Sequence, residues 1–267
     1  MNKAEDYVRL AREAWNEAAP IHWKSTHQLV EAIKAGKADF LHDIHAEELR
    51  RIGVKGACVG QLNCNNGREL VSIMQLGAGR GVGFDISGGF IEQARELAQA
   101  AGANATFVET DVYEIDEDYN GAFDIVVVTA GALCFMPDLE RYFSVARRLL
   151  RSGGHLSIYE SHPITEMFLL DRDRGDQPLE FVQSYFDAEP LRHESGLDYI
   201  HNEQYEAKPI YYFHHKLSDI ITAVLDGGMT IERFVEHWQD PSQALKKVEA
   251  MEVKPPLSFL LTASVDQ

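Results

Sequence analysis

The chain has 267 residues, 45% hydrophobic and 25% charged, ordinary fractions for a water-soluble globular protein of one domain with an elaboration. With 25 basic against 42 acidic residues the net charge is −17, which argues against nucleic acid and anionic membranes as partners and mildly favours cationic small ligands. Cys58, Cys64 and Cys134 form no Cys-x-x-Cys pair, no signal-like stretch opens the chain and no apolar run reaches membrane-spanning length, so the expected location is the cytoplasm.

In chain order, the first residues read as helices. Tyr7, Leu10, Ala11, Ala14 and Trp15 recur at spacings of three and four, predicting a helix over 3–18 that Pro20 ends. A second helix near 26–36 stops at Gly36, and a third over about 44–52 stops at Gly53. From residue 57 the pattern changes. Short apolar runs at 57–63, 81–87, 105–111, 123–129 and 155–160 alternate with helices at 68–76, 89–100 and 137–150. Near-continuous apolar strands between helices are buried on both faces, which predicts a doubly wound α/β core around a parallel sheet. The alternation lapses over 161–216, which holds 9 of the 26 aromatic residues and 5 of the 11 histidines and is expected to form a lid. A helix at 217–228 and two strands at 230–237 and 257–264, paired through a long connection, complete the chain. The expected division is a helical cap over 1–52, a core over 53–160 and 217–267, and a lid insertion over 161–216.

Ligands of an open parallel sheet bind beyond the carboxyl ends of its strands, so the loops there carry the chemistry. The first, Asn63-Cys64-Asn65-Asn66-Gly67, is rich in residues that tolerate left-handed backbone and can turn tightly beneath a ligand. It lacks the glycines and the lysine of a phosphate-cradling loop, which argues against nucleoside triphosphates. Asp85 closes the second strand 18 residues after Gly67, where a carboxylate accepts both hydroxyls of a ribose or is simply a solvated strand-end acid. Asp111 closes the third. It suits the amino group of an adenine, with Val112 supplying a backbone N–H, or else caps a turn.

Val59-Gly60-Gln61-Leu62-Asn63-Cys64-Asn65-Asn66-Gly67, Gly83-Phe84-Asp85-Ile86-Ser87, Thr110-Asp111-Val112 and Phe123-Asp124-Ile125-Val126 are followed by Leu149-Leu150-Arg151-Ser152-Gly153-Gly154-His155-Leu156. In this order and spacing they resemble the motif series of the class I S-adenosylmethionine-dependent methyltransferases, in the small-molecule (type 11 or ubiquinone-biosynthesis-like) branch. The resemblance spans about residues 55–162 and extends to the tail. Gln61 stands where the family usually has Asp or Glu, and Asn63 and Asn65 where it has glycines. The resemblance implies a Rossmann-like, seven-stranded, mostly parallel sheet with an antiparallel last strand. It also implies S-adenosylmethionine as cofactor, leaving as S-adenosylhomocysteine. Asp85 and Ile86 would then hold the ribose, Asp111 and Val112 the adenine, and Gln61, Asn63, Cys64, Asn65 and Gly67 the methionine end. Thr129 and Ala130 would lie under the sulfonium, and Trp15 would belong to a segment closing over the cofactor.

Methyl transfer from a sulfonium is an in-line displacement with an activated leaving group, so alignment matters most and a base only where the acceptor must lose a proton. His162, just past the fifth strand, and His214 or His215, ahead of the 217–228 helix, are the candidate bases, each with a structural reading beside it. Glu160 either orients His162 or meets a cationic substrate. The histidines lack metal-ligand spacing, and no metal is expected. The expected function is methylation of a hydroxyl or amine on a small, partly apolar or aromatic molecule, by a monomer or homodimer. Two other readings compete. One is an NAD(P)-dependent short-chain oxidoreductase, from Thr129-Ala130-Gly131-Ala132 and Tyr212-x-x-x-Lys216; the other is a protein that keeps the fold and binds without turnover.

Overall fold

The structure, a computed structural model, describes residues 3–35, 40–168, 170, 177–198, 205–242 and 244–266. Its strands are β1 (Cys58–Leu62), β2 (Arg80–Asp85), β3 (Ala105–Glu109), β4 (Phe123–Thr129), β5 (Leu150–Ser161), β6 (Leu191–His193), β7 (Ile210–Tyr212), β8 (Thr230–His237) and β9 (Ser258–Ser264). Seven of them form one sheet in the order β3-β2-β1-β4-β5-β9-β8, while β6 and β7 pair separately within the 161–216 insertion. The first five strands of the sheet run parallel, and β9 lies antiparallel to both β5 and β8. The expected doubly wound sheet is present, including its antiparallel last strand.

The helices are α1 (Lys3–Lys34), α2 (Asp43–Arg51), α3 (Arg68–Gln75), α4 (Gly88–Ala101), α5 (Leu139–Leu149), α6 (Leu217–Asp226) and the short α7 (Lys246–Glu249). Alternation along β4 sends Val126 and Val128 into one apolar cluster with Phe84, Tyr142 and Phe143, and Ile125 and Val127 into another with Leu70, Ile91 and Phe107. Each face of the sheet is therefore roofed by helices, which explains why its strands read as unbroken apolar runs. Val30, Ile33, Ala46 and Leu49 of the N-terminal segment share the second cluster with Val59 of β1.

Several boundaries differ from expectation, each for a physical reason. Pro20 does not end the first helix; α1 runs through it and takes in most of the predicted second helix, whose expected stop, Gly36, lies outside the described residues. A proline removes one hydrogen bond and adds a local clash, and here burial offsets that cost. Ala18 and Ala19 are almost wholly buried, and the Ala19 carbonyl accepts a hydrogen bond from Gln93 Nε2 on α4 at 2.7 Å. β5 begins at Leu150, before the Gly153-Gly154 turn, because Leu150 pairs with Phe123 and the register then shifts before His155 meets Ile125. β2 and β3 end at Asp85 and Glu109, two residues earlier than expected, and α5 starts after its N-cap Asp138, not at Pro137.

α1 approaches α4 closely at Gly89, where a Cβ would stand 2.7 Å from the Cβ of Ala19. Gly89→Ala is therefore expected to lift α1 from α4. Limited proteolysis checks this: the variant should be cut within α1 at protease levels that leave the parent protein intact.

Candidate active site

The strand order reverses between β1 and β4, and the loops at the carboxyl ends of the strands gather there. The loop after β1 is held in an unusual shape. Asn63 (φ 51°) and Asn65 (φ 50°) are the only non-glycine residues with left-handed backbone among those described, and Gly67 follows at φ 70°. Asparagine tolerates this conformation better than most residues, because its short amide makes local hydrogen bonds. Asn65 Oδ1 accepts the Asn66 N–H at 2.8 Å, and Asn63 Oδ1 accepts the hydroxyl of the fully buried Tyr142 at 2.9 Å. Both asparagines thus take the backbone shape that glycine usually supplies.

Asp85 ties this loop to the end of β2. One carboxylate oxygen accepts the Asn65 N–H at 2.7 Å and the other the Ser87 N–H at 2.9 Å, which leaves acceptor capacity on the carboxylate. Burial lifts its carboxyl from the usual 3.8 to about 6, against the opposing pull of the amides of Ser87, Asn65 and Ile86. Asp111 accepts the Tyr113 N–H at 3.0 Å and so caps the short turn after β3, with Val112 buried beneath it. Gln61 is fully buried on β1; its Nε2 donates to Thr129 Oγ1 at 3.2 Å, while its Oε1 has no partner among the described residues. The Cys64 side chain points into the core against Phe107 and Gly83, so only its backbone belongs to the loop.

Glu160, near the end of β5, is buried and accepts four backbone N–H groups, from Gly131 (2.6 Å), Ala132 (3.0 Å), Leu133 (3.2 Å) and Ser161 (2.7 Å). It neither orients His162 nor waits for a cation; it fixes the turn after β4, beside Thr129 and the exposed Ala130. Nothing in the local sequence marks this role except a carboxylate on the inward side of a buried strand.

The three histidines fare differently. His162 Nδ1 accepts the Ile164 N–H at 3.1 Å, so Nε2 carries the proton and donates to Glu236 at 3.0 Å; neither nitrogen is free to act as a base. His214 is likewise engaged at both nitrogens, by Glu166 and the Tyr185 carbonyl. His215 uses only Nε2, donating to the Met136 carbonyl at 2.7 Å. Tyr212 and Lys216 are divided between β7 and the N-cap of α6, so the oxidoreductase-like spacing does not place both on one helix face. No group of three or more His, Cys, Asp or Glu among the described residues is placed to hold a metal, and His201 lies outside them.

α1 lies across this end of the sheet. Asn16 Oδ1 accepts the Ser87 hydroxyl at 2.8 Å, directly after Asp85 and Ile86, a latch the sequence does not announce. Trp15 packs edge-on against Phe90 and Phe135, and Tyr7 against Tyr211 and Phe213 of the insertion. The roof over the loops is aromatic.

The sequence model of a methyltransferase domain matches residues 59–154, the stretch that builds this arrangement from β1 to β5. Residues 59–154 of the chain carry a methyltransferase domain. A curated relative, methyltransferase phqN of Penicillium fellutanum, is 28% identical over 174 residues, covering 59% of this chain and about half (51%) of that protein. An S-adenosylmethionine-dependent methyltransferase of Mesorhizobium loti superposes with TM-score 0.59 at 21% identity, over 82% of this chain and 96% of its own. The Burkholderia thailandensis 1,6-didemethyltoxoflavin-N1-methyltransferase, solved with that substrate and S-adenosylhomocysteine, gives TM-score 0.58 at 15% identity over 100% of this chain and 92% of its own. At these identities the superpositions show the fold of the methyltransferase domain.

The residues present fit the cofactor. Asp85 keeps lone pairs for ribose hydroxyls, the 63–67 turn has its left-handed shape, and the buried, unpartnered Gln61 Oε1 matches an ammonium donor.

Proposed function

We propose that the methyltransferase domain transfers a methyl group from S-adenosylmethionine to a hydroxyl or amine of a small, partly aromatic molecule in the cytoplasm. The observation that carries this reading is the left-handed Asn63–Gly67 turn hydrogen-bonded to Asp85, a cradle for a ribose that offers no phosphate contacts. Asp85, with Ile86 beside it, would accept the ribose hydroxyls, and Asp111 with Val112 would meet the adenine. Gln61 Oε1 would accept from the methionine ammonium, and Asn63, Asn65 and Gly67 would shape the backbone beneath it. The bound cofactor supplies an activated methyl on a positively charged sulfur. Thr129, Ala130 and the turn held by Glu160 border that position, and Trp15 closes the roof. The aromatic roof and the net charge of −17 favour an uncharged or cationic ring-bearing acceptor over nucleic acid.

Incubation with methyl-labelled S-adenosylmethionine and a panel of small phenols and amines tests the reading. It predicts S-adenosylhomocysteine release with label in the organic extract. Release with no member of the panel, or label in added nucleic acid, counts against it.

A pH dependence follows from Asp85. A ribose is held best by the ionised carboxylate, so affinity for S-adenosylhomocysteine should be flat above pH 7 and fall as the pH drops through about 6. The contribution of Asp85 to folding runs the other way. Its folded pKa lies above the ordinary 3.8, so proton uptake between about 6 and 3.8 stabilises the free protein as pH falls. Calorimetric titrations at pH 5.5 and 7.5 (roughly either side of the midpoint), beside thermal melts, separate lost affinity from acid unfolding.

A further inference from the structure

His214 and His215 are neighbours in sequence and opposites in chemistry. His214 Nδ1 lies 2.5 Å from Glu166 Oε2 and its Nε2 2.7 Å from the Tyr185 carbonyl. Both partners only accept, so both nitrogens carry hydrogens and the ring is an imidazolium; the Glu166 hydrogen bond raises its pKa. His215 Nε2 faces the Met136 carbonyl, another acceptor, which places the single proton of the neutral ring there. Its Nδ1 therefore bears a lone pair, and no described residue engages it. Burial pushes His215 below the usual histidine range, with the Met136 carbonyl, Glu166 and Asp219 opposing and His214 reinforcing the shift. Adjacent titratable groups pushed apart in this way are the pattern of an acid–base site.

The pair lines a cavity of about 180 Å³ together with Pro137, Phe186, Ala188 and Phe213, with Asp187, Lys216 and Asp219 also in its wall. A cavity of roughly 150 Å³ is enough for a benzene ring. The Phe213 ring lies nearly parallel to the His215 ring, with centroids 6.3 Å apart, and adds an apolar side chain to the cavity wall. Two residues of the cavity wall are tied to the segment after β4: the Phe213 N–H donates to the Cys134 carbonyl at 2.7 Å, and His215 is held by Met136, whose sulfur lies 3.9 Å from Asn63 Nδ2.

We propose that His215 is the general base of this site and that the acceptor is a single aromatic ring bearing an ionisable hydroxyl or ring N–H, seated in this cavity. The proposal rests on the methyl-transfer reading above. The acceptor's proton passes to His215 Nδ1 while a lone pair on its oxygen or nitrogen forms the new bond to the methyl carbon. The carbon–sulfur bond breaks and its electron pair stays on sulfur. His215, now an imidazolium, returns the proton to solvent. His214 acts as a positioning residue: as a cation it ties Tyr185, and with it Phe186, to Glu166 at the cavity wall.

The test uses para-nitrophenol, whose anion absorbs visible light, in the presence of S-adenosylhomocysteine and at a pH where the free phenol is largely protonated. The parent protein should bind it saturably and shift it toward the phenolate. His215→Phe should abolish the phenolate signal. Ala188→Trp, which fills the cavity from its exposed rim and leaves both histidines in the sequence, should abolish binding. Binding and ionisation that survive both substitutions, or no nitrophenol binding by the parent protein, overturn the proposal. S-adenosylhomocysteine affinity is measured by calorimetry on the same samples, with melting curves to establish folding. Its absence from the parent protein refutes the methyl-transfer reading instead, while the nitrophenol signal still decides the role of the cavity.

Discussion

Asp85→Ala is expected to weaken S-adenosylhomocysteine binding roughly a hundred- to ten-thousandfold, the loss of two hydrogen bonds to a charged acceptor worth about 1.5–3 kcal/mol each. The effect has two physical parts. The ribose hydroxyls lose their acceptor, and the Asn65 and Ser87 amides lose theirs, which frees the turn that must lie beneath the cofactor. Asp85→Asn separates them, because its amide oxygen still accepts from one backbone N–H but carries no charge. Calorimetry on both variants, with melting curves to establish folding, gives the comparison. An alanine variant that binds as tightly as the parent protein would remove the ribose assignment.

The second large effect falls on stability. Glu160→Ala strips the acceptor from four backbone N–H groups, two of them on the buried residues Ala132 and Leu133. Leaving buried donors unpaired costs about 1–3 kcal/mol each, so the variant should lose roughly 3–5 kcal/mol. At this chain length each kcal/mol moves the melting temperature by about 2–4 °C, giving a drop of about 6–20 °C. Hydrogen exchange should quicken first at 131–133, the segment whose amides Glu160 holds. Glu160→Gln, which retains one acceptor oxygen, should lie between the two. A Glu160→Ala protein that melts with the parent would mean that water replaces the carboxylate at little cost.

The parts of this account that were legible in the sequence are those set by local pattern. The apolar runs of β1 to β5 gave the sheet because strands covered on both faces cannot hide their composition. Asp85 stood out as the acid closing the second of those strands. The asparagines of the 63–67 loop stood out as tolerating left-handed backbone, which Asn63 and Asn65 adopt and Asn66 does not. What stayed hidden depends on distant partners. Pro20 sits inside α1 because Ala19 is buried against Gly89 and Gln93, about 70 residues away in the chain. The three candidate histidines could not be ranked from sequence, because the ranking rests on Glu236, Glu166 and the carbonyls of Tyr185 and Met136. Glu160 was misjudged for the same reason: its four donors lie on the turn after β4, brought near only by the parallel pairing of β4 and β5.

The central claim is that the Asn63–Gly67 turn and Asp85 form a cradle for S-adenosylmethionine. Calorimetric titration of the full chain with S-adenosylhomocysteine and, separately, NADPH at neutral pH tests it most directly. The account predicts saturable binding of one equivalent of S-adenosylhomocysteine and none of NADPH. Binding of NADPH alone, or of neither, would contradict it.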